Sequence, residues 1–435
     1  MRDIAFALFI LPLLLAAFKR PWLGIALWVW LGLMNPHRYM YGFAYSFPWA
    51  QVTIGIFFIS LVATKQRYRV LAGAPVVWML LFVIWMTISL LFGLDPDRDY
   101  DQWVKVMKVM LMVFMIFAVL RSKFHIIGLV WTCALSLALL GAKGGLFTIL
   151  TGGAHRVWGP PGSLIGDNNE FALALSMTIP LLWFLRQQLQ TRWGRQLLVV
   201  LMVLCASAAL GTQSRGGFLA IGAMTLVLWW RGGSHFLGGA MLLLAGIVLV
   251  AVMPEEWSQR MNTIGGDYET DSSSKNRVSA WWVSWGIAKD YITGVGFLTA
   301  RGDLFLRYSP YPETGAWVAH SIYFQIMGNH GFIGLGLFLM VFISGWWSAG
   351  RVRRAARGRP ELLWCSQLVG MCQVSLVGYA VGGAFLSLAY FDLPYYIVAI
   401  IVLTDLWVRQ RRWETEVEPV WRRWRLPGMG KRITA

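Results

Sequence analysis

Five side chains stand where polar links meet long apolar runs, and their types suit acid–base and phosphate chemistry. Arg156 lies in HRVWGPPGSLIGDNNEFA and Arg215 in GTQSRGGFLA; Arg277 opens NRVSAWWVSWGIAKDY, Arg301 follows GVGFLTA, and His320 heads AHSIYFQIMGNHGFIGLGLFL. A guanidinium at the edge of hydrocarbon is expensive, so such a residue is either functional or paired. Its planar fork grips phosphate oxygens two at a time and never loses its charge. Several arginines around one cavity would make a pyrophosphate site that needs no metal, and the tight Ser214-Arg215-Gly216-Gly217 turn adds backbone N–H groups that can face an anion. His320 can take a proton near neutral pH. Duller roles stay open for each: an arginine snorkelling or capping a helix, a histidine bonded to a carbonyl at the interface. His330, deeper in the apolar run, reads as structural, and His155 is a weaker rival beside Arg156. The Asp95–Asp101 run (DPDRDYD) has the oxygen ligands that hard cations take, yet aspartates ahead of an apolar run are good helix N-caps, the favoured reading. Nothing resembles a P-loop, a zinc motif or a Ser/His/Asp arrangement.

The elements that must position these residues are membrane spans. The 435 residues are 57% hydrophobic and only 14% charged, against about 25% charged in a soluble domain, and the mean hydropathy is +0.57. Apolar runs near the ~20 residues that cross a bilayer recur at 4–17, 21–34, 48–64, 74–93, 104–120, 125–149, 170–186, 196–213, 216–230, 236–253, 318–348, 361–382 and 390–408. The first two, parted only by Lys19-Arg20-Pro21, read as two tilted spans or one broken element, so the count is twelve or thirteen. Tryptophans near segment ends, such as Trp28, Trp30, Trp229 and Trp230, suit interfacial belts. The fold class is an all-α polytopic integral membrane protein.

A formal charge of +17 would suit nucleic acid, but the cations collect in short links: Lys65, Arg67 and Arg69; Arg121 and Lys123; Arg186, Arg192 and Arg195; the arginines of 351–359; and the tail from Arg409 to Arg432. That pattern is topological and excludes nucleic acid as a partner. It puts the tail in the cytoplasm and the links at 95–102, 150–169, 211–216 and 254–317 on the opposite face. If the first two segments act as one element, the amino terminus is cytoplasmic too. Cys133, Cys205, Cys365 and Cys372 lie in apolar segments without a CxxC pair and read as small buried residues.

The chain therefore divides into an amino-terminal bundle (1–253), a polar loop or lid (254–317), further spans (318–408) and a basic tail (409–435). Within the loop, Val278, Trp281, Trp282, Trp285 and Ile287 fall at helical spacing between Asn276 and Tyr291, predicting an amphipathic helix that Gly294-Val295-Gly296 ends.

With TQSRGG between two spans, an Arg-led helix in a long outward loop, GVG, and then His-Ser followed by Gly328, Gly331 and Gly334, the chain resembles the O-antigen ligase/polymerase family. The resemblance covers most of the chain and is specific mainly over 205–340; the opening, MRDIAFALFILPLLLAAFKRPWLGIALWVW, also resembles the ligase subgroup found with exosortase-type systems. Ser321 stands where the family usually has Asn, and Asn329 near a position often held by Glu. The resemblance implies a GT-C-like fold and transfer of a glycan from undecaprenyl pyrophosphate to lipid A–core at the periplasmic face of the bacterial inner membrane. The reaction it implies is inverting and needs neither metal nor other cofactor. His320 is then the catalytic base, Arg215 and Arg277 the pyrophosphate ligands, and Arg156 and Arg301 further cavity cations. Rival readings are a polymerase or protein O-oligosaccharyltransferase of the same family, a metal-dependent oligosaccharyltransferase using Asp95 and Asp97, and a flippase for lipid-linked glycans. The flippase is disfavoured because Lys143 is the main charge in mid-segment and no inverted repeat is visible.

Overall fold

The computed structural model describes residues 1–64, 73–231 and 272–416. The expected span at 236–253, the cations of 65–69, the first part of the polar loop and the tail beyond 416 lie outside the described residues. Every long element among those described is an α-helix, as hydrocarbon demands, since no water is there to bond the backbone. They are α1 (Arg2–Ala17), α2 (Pro21–Met34), α3 (Phe43–Ser46), α4 (Trp49–Thr64), α5 (Ala74–Leu91), α6 (Pro96–Val119), α7 (Lys123–Leu150), α8 (Asn168–Gln188), α9 (Arg192–Gly211), α10 (Arg215–Arg231), α11 (Ser272–Asp290), α12 (Gly302–Tyr308), α13 (Ile322–Ala355), α14 (Leu363–Gly382) and α15 (Asp392–Arg409). Their starts follow from local chemistry. Proline occupies the first turn of α2, α5 and α6, where its missing N–H costs nothing. Asp95, Ser122 and Asp167 accept backbone N–H groups ahead of α6, α7 and α8, so Asp95 serves as the N-cap its position suggests.

Among the described residues, six helical runs are long and apolar enough to cross a membrane: α5, α6, α7, α9, α13, and Pro360–Phe385, which contains α14; α2 and α4 are shorter apolar helices. The expected spans at 4–17, 170–186, 216–230 and 390–408 correspond to α1, α8, α10 and α15. The first two segments are separate helices. Asp3 at the start of α1 accepts the N–H groups of Gly42 and Ala44 at 3.0 and 3.1 Å, so α1 and α2 run antiparallel. The premise that would send the amino terminus to the same side as the carboxyl tail is therefore not met.

Chain direction alternates through the bundle and gives it two ends. At one end Leu94 N–H bonds the Val295 carbonyl, Val157 N–H the Gly211 carbonyl, Asn168 Nδ2 the Thr212 carbonyl, and His320 N–H the Ser387 hydroxyl. The links 92–95, 151–167, 212–214, 291–321 and 383–391 thus meet there. At the other end, Lys123 N–H bonds Glu416 and Gln188 faces Gln367. Nearly every residue of α15 is buried, making it the central post, and all four cysteines are buried free thiols. Lys143 lies over the Tyr39 ring at 4.4 Å, a cation–π contact that softens its burial.

α13 is too long to be one straight span. Its 34 residues would extend about 51 Å, against about 30 Å of hydrocarbon. The helix breaks at Gly331, with φ 68° and ψ −174°; a side chain there would take an unfavourable left-handed φ and collide with the Ile292 carbonyl. The short piece ahead of the break carries the His320 segment outward.

Candidate active site

His320 lies just ahead of α13, outside the helix, with a left-handed φ of 44°, a conformation uncommon for a residue with a side chain. It is held from both sides. Its N–H donates to Ser387 Oγ at 3.1 Å, and the neighbouring Ala319 carbonyl accepts Trp281 Nε1 at 2.7 Å. Trp281 in turn stacks on Phe324, centroids 5.0 Å apart and planes 6° apart. α11 is thereby clamped to the first turn of α13, which brings Arg277, one turn before Trp281, into the field of the imidazole. Burial lowers the imidazole's proton affinity, Arg277 lowers it further, and Asp167 opposes them. The net shift is below the ordinary histidine value, so near neutral pH the ring is the neutral proton acceptor.

α11 runs almost as the sequence suggests, but its faces divide differently. Ala280, Val283 and Ile287 are buried and pack with Val295, Leu304 and Phe305, and Ser279, Ser284 and Ala288 are buried beside them. Trp281 and Trp285, at i and i+4, flank that face and meet Phe324 and Phe332, while Trp282 is 55% exposed. Small and branched side chains allow the close approach; the indoles are left to line an open groove of about 370 Å³ with Val278 and Phe324. A second apolar groove, about 260 Å³, starts at Ile322 and Tyr323 beside the His320 segment and runs between α13 and α14 past Phe342 and Trp346. A cavity of about 800 Å³ lies at the opposite end among Lys123, Trp364 and Trp407, remote from this chemistry.

The SRGG turn joins the same end. Ser214 Oγ accepts Gly217 N–H at 3.1 Å, capping α10 and leaving Arg215 as its first residue. A Cβ on Gly217 would lie 2.6 Å from Ala172 Cβ, and one on Gly216 would meet the Gly382 carbonyl and Phe385. The turn is therefore pressed against the start of α8 and the 383–391 link that also holds His320. Arg156 reaches the turn from another side, Nε donating to Gln213 Oε1 at 3.3 Å. Arg301 pairs with Asp303 at 3.2 Å and faces Asp95 at 3.9 Å, tying α12 to the start of α6. His330 is fully buried, with Nδ1 2.9 Å from Ser89 Oγ and Nε2 2.7 Å from Tyr390 OH; Asn329 Nδ2 donates to Tyr390 OH and the Phe297 carbonyl. Both residues hold the 293–297 turn to the bundle, a structural role.

The residues that sequence reasoning passed over are Asp167, Glu170 and Ser387. Asp167 accepts Asn169 N–H at 2.8 Å and Asn169 Nδ2 at 2.9 Å. Burial pushes its carboxyl up, but hydrogen bonds from Glu170 and from Asn169 bring it below the usual carboxylate range. Glu170 is buried in the first turn of α8, where its Oε2 has no hydrogen-bond partner among the described residues. Among the described residues no three His, Cys, Asp or Glu side chains converge as a metal site would require.

Two family matches cover most of the chain. Residues 1–188 match a family of unknown function, DUF5935, and residues 200–339 match the family described as O-antigen ligase. The second match takes in the SRGG turn, Arg277 and His320. No curated protein matches the chain.

Proposed function

Taking residues 200–339 as an O-antigen ligase segment, we propose that this protein is a membrane glycosyltransferase that moves a glycan from undecaprenyl pyrophosphate to lipid A–core. The observation that carries the reading is the approach of Arg277 and the SRGG turn, from two different links, to the end of the bundle that holds a neutral His320. A hydroxyl of the acceptor attacks the anomeric carbon. The new C–O bond forms as the bond from that carbon to the pyrophosphate oxygen breaks, with inversion. His320 takes the hydroxyl proton, and undecaprenyl pyrophosphate leaves with the electron pair. Arg215 and Arg277 stabilise the charge growing on it, with Arg156 as a further cation at the rim. General-base help is worth roughly 10²–10⁴-fold, and preorganised charge stabilisation at least as much. The α13/α14 groove, apolar and opening beside the histidine, suits the polyprenyl tail.

Charge distribution supports a periplasmic site in the bacterial inner membrane. Arg121, Arg186, Arg192, Arg231, the arginines of 351–359 and Arg409 all lie toward the opposite end of the bundle, the end that faces the cytoplasm under the positive-inside rule. The test is in vitro transfer by purified protein from a polyprenyl-pyrophosphate oligosaccharide to lipid A–core in EDTA. We expect a single transfer per acceptor and a loss of about 10²–10⁴-fold in His320→Ala. Full activity in that variant would remove the base; products of graded length would mark a polymerase instead.

A further inference from the structure

Arg38 and Lys143 belong to the part of the chain that matches a family of unknown function, and no step of the transfer uses them. We propose that together with His37 they form a second anion site at the active end of the bundle, one that holds the phosphate of a lipid headgroup in the adjoining leaflet. Arg38 sits in the 3₁₀ turn Pro36–Tyr39, on the link between α2 and α3. Its guanidinium lies over the Tyr45 ring at 5.3 Å and against the tip of the 151–167 link, where a Cβ on Gly162 would be 3.7 Å from Cζ. That contact puts Arg38 at the end of the bundle where Arg156, on the same 151–167 link, meets Gln213. Lys143 arrives from α7, its ammonium 4.4 Å from the centre of the ring of Tyr39, the residue next to Arg38.

What these groups lack points to the ligand. Arg38 is half-buried, yet among the described residues its side chain has no hydrogen bond and no ion pair, and its Nε is sealed from solvent without an acceptor. His37 Nδ1 is buried in the same state. Lys143 likewise meets only an aromatic face among the described residues. Asp3, the acid that touches this link, already accepts the N–H groups of Gly42 and Ala44. A guanidinium taken partly out of water with none of its donors met is costly, and a cation at the edge of hydrocarbon calls for an anion. Arginine brings a planar fork and lysine a mobile point charge, and both suit phosphate oxygens. The height fits as well. Lys143 follows Lys123, the first residue of α7, by twenty residues, a rise of about 30 Å. That equals the thickness of the hydrocarbon, about 30 Å, so the ammonium stands at the level of the headgroups. Tyr39 and Tyr45 have the amphipathic rings found at that level. The binding needs a phosphate and an acyl anchor, and it holds whether or not the chain transfers a glycan.

The test is lipid binding by the purified full chain in a neutral detergent, read as lipid adducts in native mass spectrometry. The probes are dioctanoyl phosphatidylglycerol, lipid A and, as the phosphate-free control, dioctanoylglycerol. Arg38→Gln should weaken binding of at least one of the two phosphate lipids by about tenfold or more, and Lys143→Gln by about threefold or more, with dioctanoylglycerol unchanged. Arg38→Lys keeps the charge and loses the fork, so it should fall between the wild type and Arg38→Gln. A loss seen with phosphatidylglycerol assigns the site to bilayer lipid; a loss confined to lipid A assigns it to the acceptor. Wild-type affinity for both phosphate lipids in Arg38→Gln and Lys143→Gln overturns the site. An equal loss for dioctanoylglycerol overturns it too, since apolar packing alone would then have been disturbed. If Arg38→Gln does not fold, Arg38→Lys and Lys143→Gln decide: wild-type affinity in both overturns the site, and weaker binding of a phosphate lipid in either supports it. No transfer enters these measurements, so an inactive protein would count against the glycosyltransferase reading and leave the lipid site standing.

Discussion

At one end of the bundle, Arg351 and Arg409 converge on the single carboxylate of Asp405, each at 2.9 Å, and Arg351 also donates to Ser348. At the other end Arg277 acts on an imidazole, and Arg215 opens a helix where three links meet. One residue type thus does two jobs. At the first end the arginines neutralise an acid in the central post, and their neighbours are the basic links that the proposed topology assigns to the cytoplasm. At the second, arginine, histidine and carboxylates lie together on links that run from α8, α10, α11 and α13. Charge placed for topology tolerates exchange of one cation for another; charge placed for chemistry does not. Substitutions that hold the charge and change the geometry distinguish the two ends.

The largest contrast is expected from Arg215→Lys and Arg277→Lys. Both keep the charge and lose the planar fork, so transfer should fall by about 10–100-fold, some 1.4–2.7 kcal/mol of transition-state stabilisation, with thermal unfolding of the purified protein unchanged. Arg409→Lys at the other end should leave the same assay within about twofold. Equal losses at both ends would dissolve the distinction.

Much of this division was legible in the sequence. Apolar runs gave the helices because hydrocarbon leaves the backbone no other choice, and the basic links among the described residues mapped to one end. The Asn276–Tyr291 periodicity is α11, and Asp95 is a cap. What stayed hidden is instructive. Asp167-Asn-Asn-Glu170 has the D-x-x-E spacing of a capping box, so it reads as an ordinary helix start; only the fold brings Asp167 into the field of His320 and buries Glu170. Ser387 sits in an uncharged link with no local signal. Gly331 looks like one of three glycines for close helix packing, whereas its positive φ breaks α13. Arg156, in a Gly/Pro-rich loop, and Arg301, after the GVGFLTA turn, looked alike, yet one meets Gln213 beside the SRGG turn and the other meets two aspartates. Which partner a link residue finds is set by links far away in the chain.

Asp405→Asn tests the opposite end from the side of stability. The carboxylate is 7% exposed, and its loss leaves two guanidinium groups against a neutral amide. Unfolding free energy should drop by about 1–3 kcal/mol, seen as a lower midpoint in thermal unfolding, while kcat of the folded protein holds. A loss of kcat without a loss of stability would mean that this end, too, serves the reaction.

The smallest expected effect belongs to Arg301, and it sharpens the comparison most finely because this residue lies at the active end yet behaves like those at the other. Its ion pairs with Asp303 and Asp95 are partly exposed, with side chains 61% and 43% accessible, and such pairs contribute about 0–1 kcal/mol. Arg301→Ala should therefore cost no more than about 1 kcal/mol of stability and less than about fivefold in transfer rate, with donor KM unmoved. A loss matching Arg277→Lys, concentrated in donor KM, would instead return Arg301 to the pyrophosphate cavity and show that its aspartates hold it in place for the donor.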